Sequence, residues 1–173
     1  KRFRGEQIMK WLYHQQVQSF DAMTDVGKAL RSKLDVCAEL VLPTVMHEQQ
    51  SADGTTKWVL ALPGGNAIET VYIPEPNRGT LCVSSQVGCA MDCKFCASGL
   101  NGLTRNLEAA EIVEQVLQAE EISGERMDNL VFMGMGEPLH NYDHTMKALR
   151  MLHEEHGLAV SPRRVTLSTV GIV

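Results

Sequence analysis

Three cysteines lie within eight residues of one another and are the side chains of this sequence best suited to inorganic chemistry. Cys89, Cys93 and Cys96 have the spacing CxxxCxxC and begin a few residues after a strand-like segment at 80–84. Neither intervening segment is long enough to carry its sulfur far away, so the three thiolates can converge on one inorganic centre. In a cytosolic chain such a cluster more often binds metal or does redox chemistry than forms disulfides.

The number of thiolates indicates which centre they hold. A cluster of four irons normally takes four cysteine ligands, so three predict one iron that is open to a small chelating molecule. The amino and carboxylate groups of S-adenosylmethionine (SAM) can bind such an iron. A structural zinc site with Cys82 as fourth ligand is the alternative, although zinc sites favour widely separated CxxC pairs. Unliganded core cysteines are the third possibility.

A glycine-rich turn, Met-Gly-Met-Gly-Glu-Pro at 133–138, follows an apolar strand-like segment. Glycines directly after a parallel strand let the backbone approach a ligand closely, and Glu137 could bind a ligand ammonium there. A tight strand-to-helix connection with a capping acid explains the same residues. Ser168 and Thr169, at the end of a third strand-like segment, would place hydroxyls at the same ligand-binding end of the strands. Alternatively, they are simply residues of that strand.

The elements around these residues alternate. Strand-like and helical patterns follow one another at 80–84, 107–122, 129–133, 142–156 and 164–169, with Asn106 as the expected cap of the first helix. This order predicts parallel strands joined by right-handed crossovers, and therefore an α/β fold that contains part of a (β/α) barrel. Three parallel strands are too few to close a barrel, so we expect the sequence to be a fragment of a longer protein.

The first part of the chain shows a different pattern of apolar and turn residues. The spacing of apolar residues predicts two short amphipathic helices, the first through Ile8 and Trp11 and the second through Met23 and Val26. Strand-like pieces separated by Asp-Gly and Pro-Gly-Gly turns then predict an antiparallel meander. We divide the chain into a helical amino-terminal domain (1–40), a short antiparallel β linker (41–76) and the first half of a (β/α) barrel (77–173).

Charge is concentrated in the same front part. Residues 1–34 contain seven basic and three acidic residues, a net charge of +4, whereas the rest of the chain carries −9. A basic module can bind a polyanion, although the solvated faces of two small helices explain the charges equally well. No apolar stretch approaches the roughly 20 residues that cross a bilayer, so we expect a cytoplasmic chain with no membrane part.

Several long segments resemble the RlmN family of radical SAM RNA methyltransferases. They are GNAIETVYIP at 65–74, TLCVSSQVGC at 80–89, GMGEP at 134–138 and RRVTLST at 163–169. The similarity runs from the first helical segment to the last residue. It implies a partial radical SAM (β/α) barrel behind a helical piece and a β linker, with a [4Fe–4S] cluster and S-adenosyl-L-methionine as cofactors.

The resemblance also implies site residues. The cluster ligands are Cys89, Cys93 and Cys96, and the residues that contact SAM are Gly136, Glu137 and Ser168. Glu69 corresponds to a proton acceptor, and Cys82 to a cysteine that helps resolve a covalent protein–RNA adduct. Without the resemblance, Glu69 is a carboxylate on the solvent face of a strand, and Cys82, like Cys37, is a small core residue.

For the whole protein, the resemblance implies methylation of carbon 2 of adenine in 23S rRNA and in tRNA, with an electron donor such as flavodoxin. The family carries the methyl group on a cysteine near its carboxyl terminus, and none of the five cysteines here has that place, so we expect these 173 residues alone to be inactive. Two alternatives remain: the related methyltransferase of antibiotic resistance, which acts on carbon 8, and a non-catalytic, zinc-stabilised RNA-binding module.

Overall fold

A computed structural model describes residues 2–76 and 78–172, so the predictions that fall on Lys1, Asn77 and Val173 lie outside it. The chain begins with two helices, α1 (Arg2–Tyr13) and α2 (Lys28–Cys37). They pack on a small core of their own, built from Phe20, Met23 and Val26. The two predicted helices are present, but Met23 and Val26 lie in the connection before α2, where they fill the space between the helices.

Eight strands follow, most of them short. They are β1 (Val45–Gln50), β2 (Thr56–Ala61), β3 (Ala67–Glu75), β4 (Arg78–Cys82), β5 (Gln86–Gly88), β6 (Leu103–Asn106), β7 (Met127–Phe132) and β8 (Val165–Leu167). The helices among them are α3 (Ala97–Leu100), α4 (Ala109–Ser123) and α5 (Tyr142–His153).

Six of the strands form one mixed sheet in the order β1-β2-β3-β4-β7-β8. The first four pair antiparallel, and β4, β7 and β8 pair parallel. The predicted meander therefore continues directly into the parallel strands, through the pairing of β3 with β4. The predicted mixed α/β fold with a helical front is confirmed. The parallel strands place the loops after β4, β7 and β8 at one edge of the sheet.

The two faces of this sheet differ. One face packs against α4 and α5 and holds the main core, which includes Trp58, Ile68, Leu81, Leu130 and Phe132. Burial of Ile112, Val113 and Val116 on α4 stabilises this layer by roughly 1.5–3 kcal/mol for each side chain. Side chains on the other face alternate with the core residues and are half-exposed on β2, β3 and β4. We call this second surface the open face.

Helix α4 begins differently from the prediction. The backbone N–H of Glu108 donates to the carboxylate of Glu111 at 2.8 Å, which satisfies one of the free donors of the first turn. The predicted cap, Asn106, is wrong, because its side-chain oxygen accepts a hydrogen bond from Gln86 at 2.7 Å instead. The helix ends at Ser123 and is capped by Gly124, which takes the left-handed conformation with φ +66°.

Within residues 2–76 and 78–172, no helix has the length and apolar character that crossing a membrane requires.

Candidate active site

A small two-stranded sheet closes the cysteine loop, residues 89–102, at the point where its two ends meet, which we call the neck. Strand β5 runs into Cys89, β6 starts after Gly102, and the two strands pair antiparallel. The Cys89 N–H donates to the Gly102 carbonyl at 3.0 Å. Gly88 has φ +77°, and a Cβ on it would lie 1.9 Å from the Gly102 carbonyl oxygen. Glycine is therefore required at position 88 to bring the two ends of the loop together.

Inside the loop, tight backbone turns place the remaining two cysteines. Asp92 has a left-handed φ of +47°, and the Cys96 N–H donates to the Cys93 carbonyl at 2.9 Å. Gly99 of α3 packs on the backbone of Cys93. Cys89 is buried, Cys93 and Cys96 are half-buried, and all three thiols are free. The loop therefore holds three unpaired thiols on one short, internally bonded segment.

This donor set is chemically suited to an iron–sulfur cluster. Thiolates are the usual protein ligands of such clusters, and a [4Fe–4S] cluster that is held by three of them has one iron without a protein ligand. Cys89, Cys93 and Cys96 supply three unpaired thiols on one short loop. The loop thus suits a cluster with one open iron.

The glycine-rich loop at 133–138 lies on the segment at 83–86, which follows β4. A Cβ on Gly134 would lie 2.8 Å from a carbonyl oxygen of that segment, and one on Gly136 would lie 2.5 Å from the Cβ of Gln86. Contact between two loops of the protein therefore already requires both glycines. That a ligand comes close to the backbone at Gly136, as the sequence suggests, stays a prediction.

Glu137, at the end of this loop, is buried, and both of its carboxylate oxygens are hydrogen-bonded. They accept from the N–H groups of Val170 and Leu139, both at 2.9 Å, and the residue is 3% exposed. Burial raises the pKa of Glu137, but the two backbone donors and Thr169 outweigh burial and leave the pKa below its ordinary value. Glu137 is therefore a charged group that joins the loop after β7 to the chain after β8.

Ser168 and Thr169 lie at the same edge, directly after β8, and both are exposed. The backbone N–H of Ser168 donates to the carbonyl of Phe132 at 3.3 Å, a bond that does not involve the Ser168 hydroxyl. The structure thus brings Gly136, Glu137 and Ser168 to the carboxyl ends of two neighbouring parallel strands. This is the edge at which α/β folds bind ligands.

Glu69 and Cys82 both lie on the open face, on adjacent strands. Cys82 pairs with Val71, two residues from Glu69, so Glu69 and Cys82 are diagonal neighbours, about 7–8 Å apart in such ladders. Glu69 forms an ion pair with Lys57, whose Nζ lies 3.0 Å from a carboxylate oxygen. Burial raises the pKa of the Cys82 thiol by more than a hydrogen bond with the Met133 backbone lowers it, so the thiol is protonated at neutral pH.

Two buried glutamines that the sequence analysis did not select hold these segments together. Gln115 on α4 accepts from the Ser84 N–H at 2.8 Å and from the Thr70 hydroxyl at 2.9 Å, and donates to the Ser84 carbonyl at 2.9 Å. Gln86 accepts from the Glu137 N–H at 2.8 Å. Gln115 thereby fixes β3 to the segment after β4, and Gln86 fixes that segment to the Glu137 loop.

The basic residues of the helical front are not equivalent. Lys10 and Lys28 are exposed, whereas the Arg31 side chain is only 14% exposed and is used internally. Its guanidinium donates to the Asp21 carbonyl and lies 3.9 Å from the Asp21 carboxylate. Cys37, expected in a core, is instead exposed at the end of α2.

The comparisons with known proteins identify the family. Residues 83–173, which contain the cysteine loop and the parallel strands β7 and β8, match the Radical SAM superfamily, and the chain belongs to that superfamily. Residues 1–40 match the Ribosomal RNA large subunit methyltransferase N-terminal domain. Membership of the superfamily implies a [4Fe–4S] cluster and SAM as cofactors, as the cysteine spacing predicted.

More specific relatives cover the whole chain. It is 55% identical to the dual-specificity RNA methyltransferase RlmN of Halorhodospira halophila, of which it covers 48%, and 50% identical to that of Alcanivorax borkumensis, of which it covers 47%. A crystal structure of a radical SAM methyltransferase from Sphaerobacter thermophilus superimposes with a TM-score of 0.89 at 46% identity, over 99% of this chain and 51% of that one. The chain spans about half the length of these relatives. The predicted resemblance to the RlmN family is confirmed.

Proposed function

We propose that the protein is a SAM-dependent radical RNA methyltransferase. It adds a methyl group to carbon 2 of an adenine in 23S rRNA, at the peptidyl transferase centre, and in tRNA, 3′ of the anticodon. The main support is that the cysteine loop, the Glu137 loop and the pair Glu69 and Cys82 meet at one end of the sheet. They do so in a chain at least half identical, over its length, to methyltransferases named RlmN.

In this proposal Cys89, Cys93 and Cys96 hold the cluster, and Gly136, Glu137 and Ser168 contact SAM. The bound cofactors supply radical chemistry, which is needed because carbon 2 of adenine is electrophilic and has no lone pair to attack a methyl group. The protein contributes the binding of these groups. Charged Glu137 suits the ammonium of an amino acid, because its carboxylate is already fixed in place by backbone donors.

The open face carries the acid–base groups. Glu69 takes the proton from carbon 2 once a covalent protein–RNA adduct has formed, while the electrons of the C–H bond stay in the ring. Cys82 then helps to resolve the adduct, in which the bond between the carrier sulfur and the transferred carbon breaks. A general base of this kind contributes about 10²- to 10⁴-fold to a rate. The methyl carrier itself is a cysteine outside these 173 residues.

Residues 1–40 form the RNA-binding module of this proposal, residues 41–76 a β linker and residues 77–173 the first half of a barrel. The target base must be unstacked to expose its ring carbon, so the RNA is bound through shape and charge in a loop. Exposed Lys10 and Lys28 suit its phosphates. Radical chemistry on SAM consumes an electron, for which we propose a donor such as flavodoxin. We also propose that the protein works in the cytoplasm, where both RNA substrates are found.

The experiment is product analysis by the full-length protein. Protein reconstituted anaerobically with iron and sulfide is incubated with SAM, a reductant and either a tRNA transcript or a 23S rRNA fragment, and the RNA is digested for mass spectrometry. We expect 2-methyladenine at the target position. Methylation at carbon 8 alone would contradict the proposal in favour of the resistance-type activity. RNA binding without methylation, by a colourless protein with stoichiometric zinc, would contradict it in favour of a non-catalytic module.

A further inference from the structure

We infer that Lys57 is a positioning residue for the Glu69 carboxylate, which it holds as a charged proton acceptor on the open face. The inference rests on the proposed function, in which Glu69 takes a proton from the substrate. It concerns a residue outside the cysteine loop, the Glu137 loop and the pair Glu69 and Cys82.

The geometry comes from the register of three strands. Lys57 on β2 and Cys82 on β4 lie opposite the same residue of β3, Val71, from its two sides. Glu69 is two residues from Val71 on the same face, so it is a diagonal neighbour of both. The Lys57 Nζ lies 3.0 Å from a Glu69 carboxylate oxygen. The carboxylate thus pairs with the ammonium of Lys57 on β2, while the neighbouring strand on its other side, β4, carries the thiol of Cys82.

The surroundings make Lys57 the group that acts on Glu69. His47 on β1 lies one strand further away, opposite Val59, which is itself opposite Glu69. Arg78 and Glu75, also charged, pair with each other at the far end of the β3–β4 ladder. Among the described residues, the strand pairing thus leaves Lys57 as the cation beside Glu69.

The Lys57–Glu69 ion pair is too exposed to contribute much to the stability of the fold. The side chains of Lys57 and Glu69 are 37% and 47% exposed. An ion pair this accessible contributes little to stability, because water solvates both charges in the unfolded chain. Its effect on a bound substrate is larger, because RNA covers the open face and removes that water. Without Lys57, the carboxylate is free to rotate away from carbon 2.

The test compares three variants in the full-length protein, reconstituted anaerobically. Lys57→Met removes the ammonium and keeps the length of the side chain, Lys57→Arg restores a cation, and Arg78→Met is the matched control in the other ion pair of the same face. Each is assayed with tRNA that carries hydrogen or deuterium at carbon 2 of the target adenine. Melting temperature and iron content are measured alongside, and gels detect any covalent protein–RNA adduct.

We expect Lys57→Met to lower kcat about 10- to 100-fold with little change in KM, because the base is misplaced. The deuterium isotope effect rises above the wild-type value and adduct accumulates, since proton removal becomes slower. Lys57→Arg recovers most of the rate, and Arg78→Met behaves like the wild type.

The inference is overturned if Lys57→Met matches the wild type, or if its loss lies in KM, in melting temperature or in iron content with an unchanged isotope effect. If Lys57→Met does not fold, an unchanged isotope effect in a slowed Lys57→Arg variant overturns it equally. Wild-type protein that makes no 2-methyladenine defeats the proposed function, and the inference with it. Active wild type with an indifferent Lys57 defeats the inference alone.

Discussion

Gly88 and Gly102 face each other across the neck of the cysteine loop, and both have left-handed backbone conformations. Their requirements differ. A Cβ on Gly88 would collide with the Gly102 carbonyl, whereas a Cβ on Gly102 meets nothing within 4 Å. Position 88 therefore carries a steric constraint in addition to the conformational one, and it lies directly before the first cysteine.

We predict that Gly88→Ala opens the neck of the loop, while Gly102→Ala is tolerated. Gly102→Ala costs only the left-handed conformation, about 1–2 kcal/mol. Gly88→Ala costs that and a backbone shift, so iron content after anaerobic reconstitution falls sharply and the free energy of unfolding drops by more than in Gly102→Ala. Equal iron content in the two variants would show that the neck does not position the cysteines.

Short elements explain most of what could not be predicted from the sequence. The cysteine spacing predicted a loop that binds an inorganic centre, and strand-helix alternation predicted the parallel strands. Strands β5 and β6, which have three and four residues, are too short to show a periodic pattern, so the closure of the loop was not predicted. Asn106 was predicted as a cap because asparagine often precedes a helix, and its actual partner, Gln86, lies 20 residues away in the sequence. Gln115 could have been singled out from the sequence, because it is a polar residue on the apolar face of a predicted helix.

Glu137 joins two elements, the loop after β7 and the segment after β8, and this makes its contribution depend on pH. The pKa of the folded carboxyl lies below its ordinary value of 4.5. Its stabilising effect is therefore fully present above that value and is lost as the pH falls through the folded pKa.

We predict that Glu137→Gln lowers the free energy of unfolding by about 1–3 kcal/mol near neutral pH, because a backbone donor loses its acceptor. The difference from the wild type shrinks as the pH is lowered through the acid range. Denaturant unfolding at a series of pH values measures it, with Glu39→Gln, an exposed position, as control. A difference that stays constant with pH would contradict the charged state of Glu137.

The helical front has a small core of its own and contacts the rest of the molecule through polar side chains and through Tyr13, which packs against the main core. Gln18 donates to Glu121 on α4 at 2.8 Å, and Gln16 donates to Glu120 at 3.3 Å. The front is basic and the remainder acidic. A polyanion is therefore attracted to one end of the molecule and repelled by much of the rest.

We predict that reversing Lys10 and Lys28 to glutamate weakens tRNA binding and lowers its salt dependence. The logarithmic slope falls by roughly 0.7–0.9 for each phosphate that the protein no longer neutralises. Lys147→Glu with Arg150→Glu, two exposed residues of α5, changes the net charge equally and is the control. Arg31 is left intact because it is bonded to Asp21. Equally weakened binding in both double variants would assign the effect to net charge and not to the helical front.

In the proposed function, Cys89, Cys93 and Cys96 hold a [4Fe–4S] cluster with an iron open to SAM. The most direct measurement is iron and sulfide content, with electron paramagnetic resonance of the reduced protein before and after SAM is added, in the full-length wild type, Cys93→Ala and Cys37→Ala. We expect four irons and four sulfides per chain and a SAM-dependent spectral change in the wild type and Cys37→Ala, both absent in Cys93→Ala. A reconstituted wild type with one zinc and no iron, or an iron content that Cys93→Ala leaves unchanged, would contradict it.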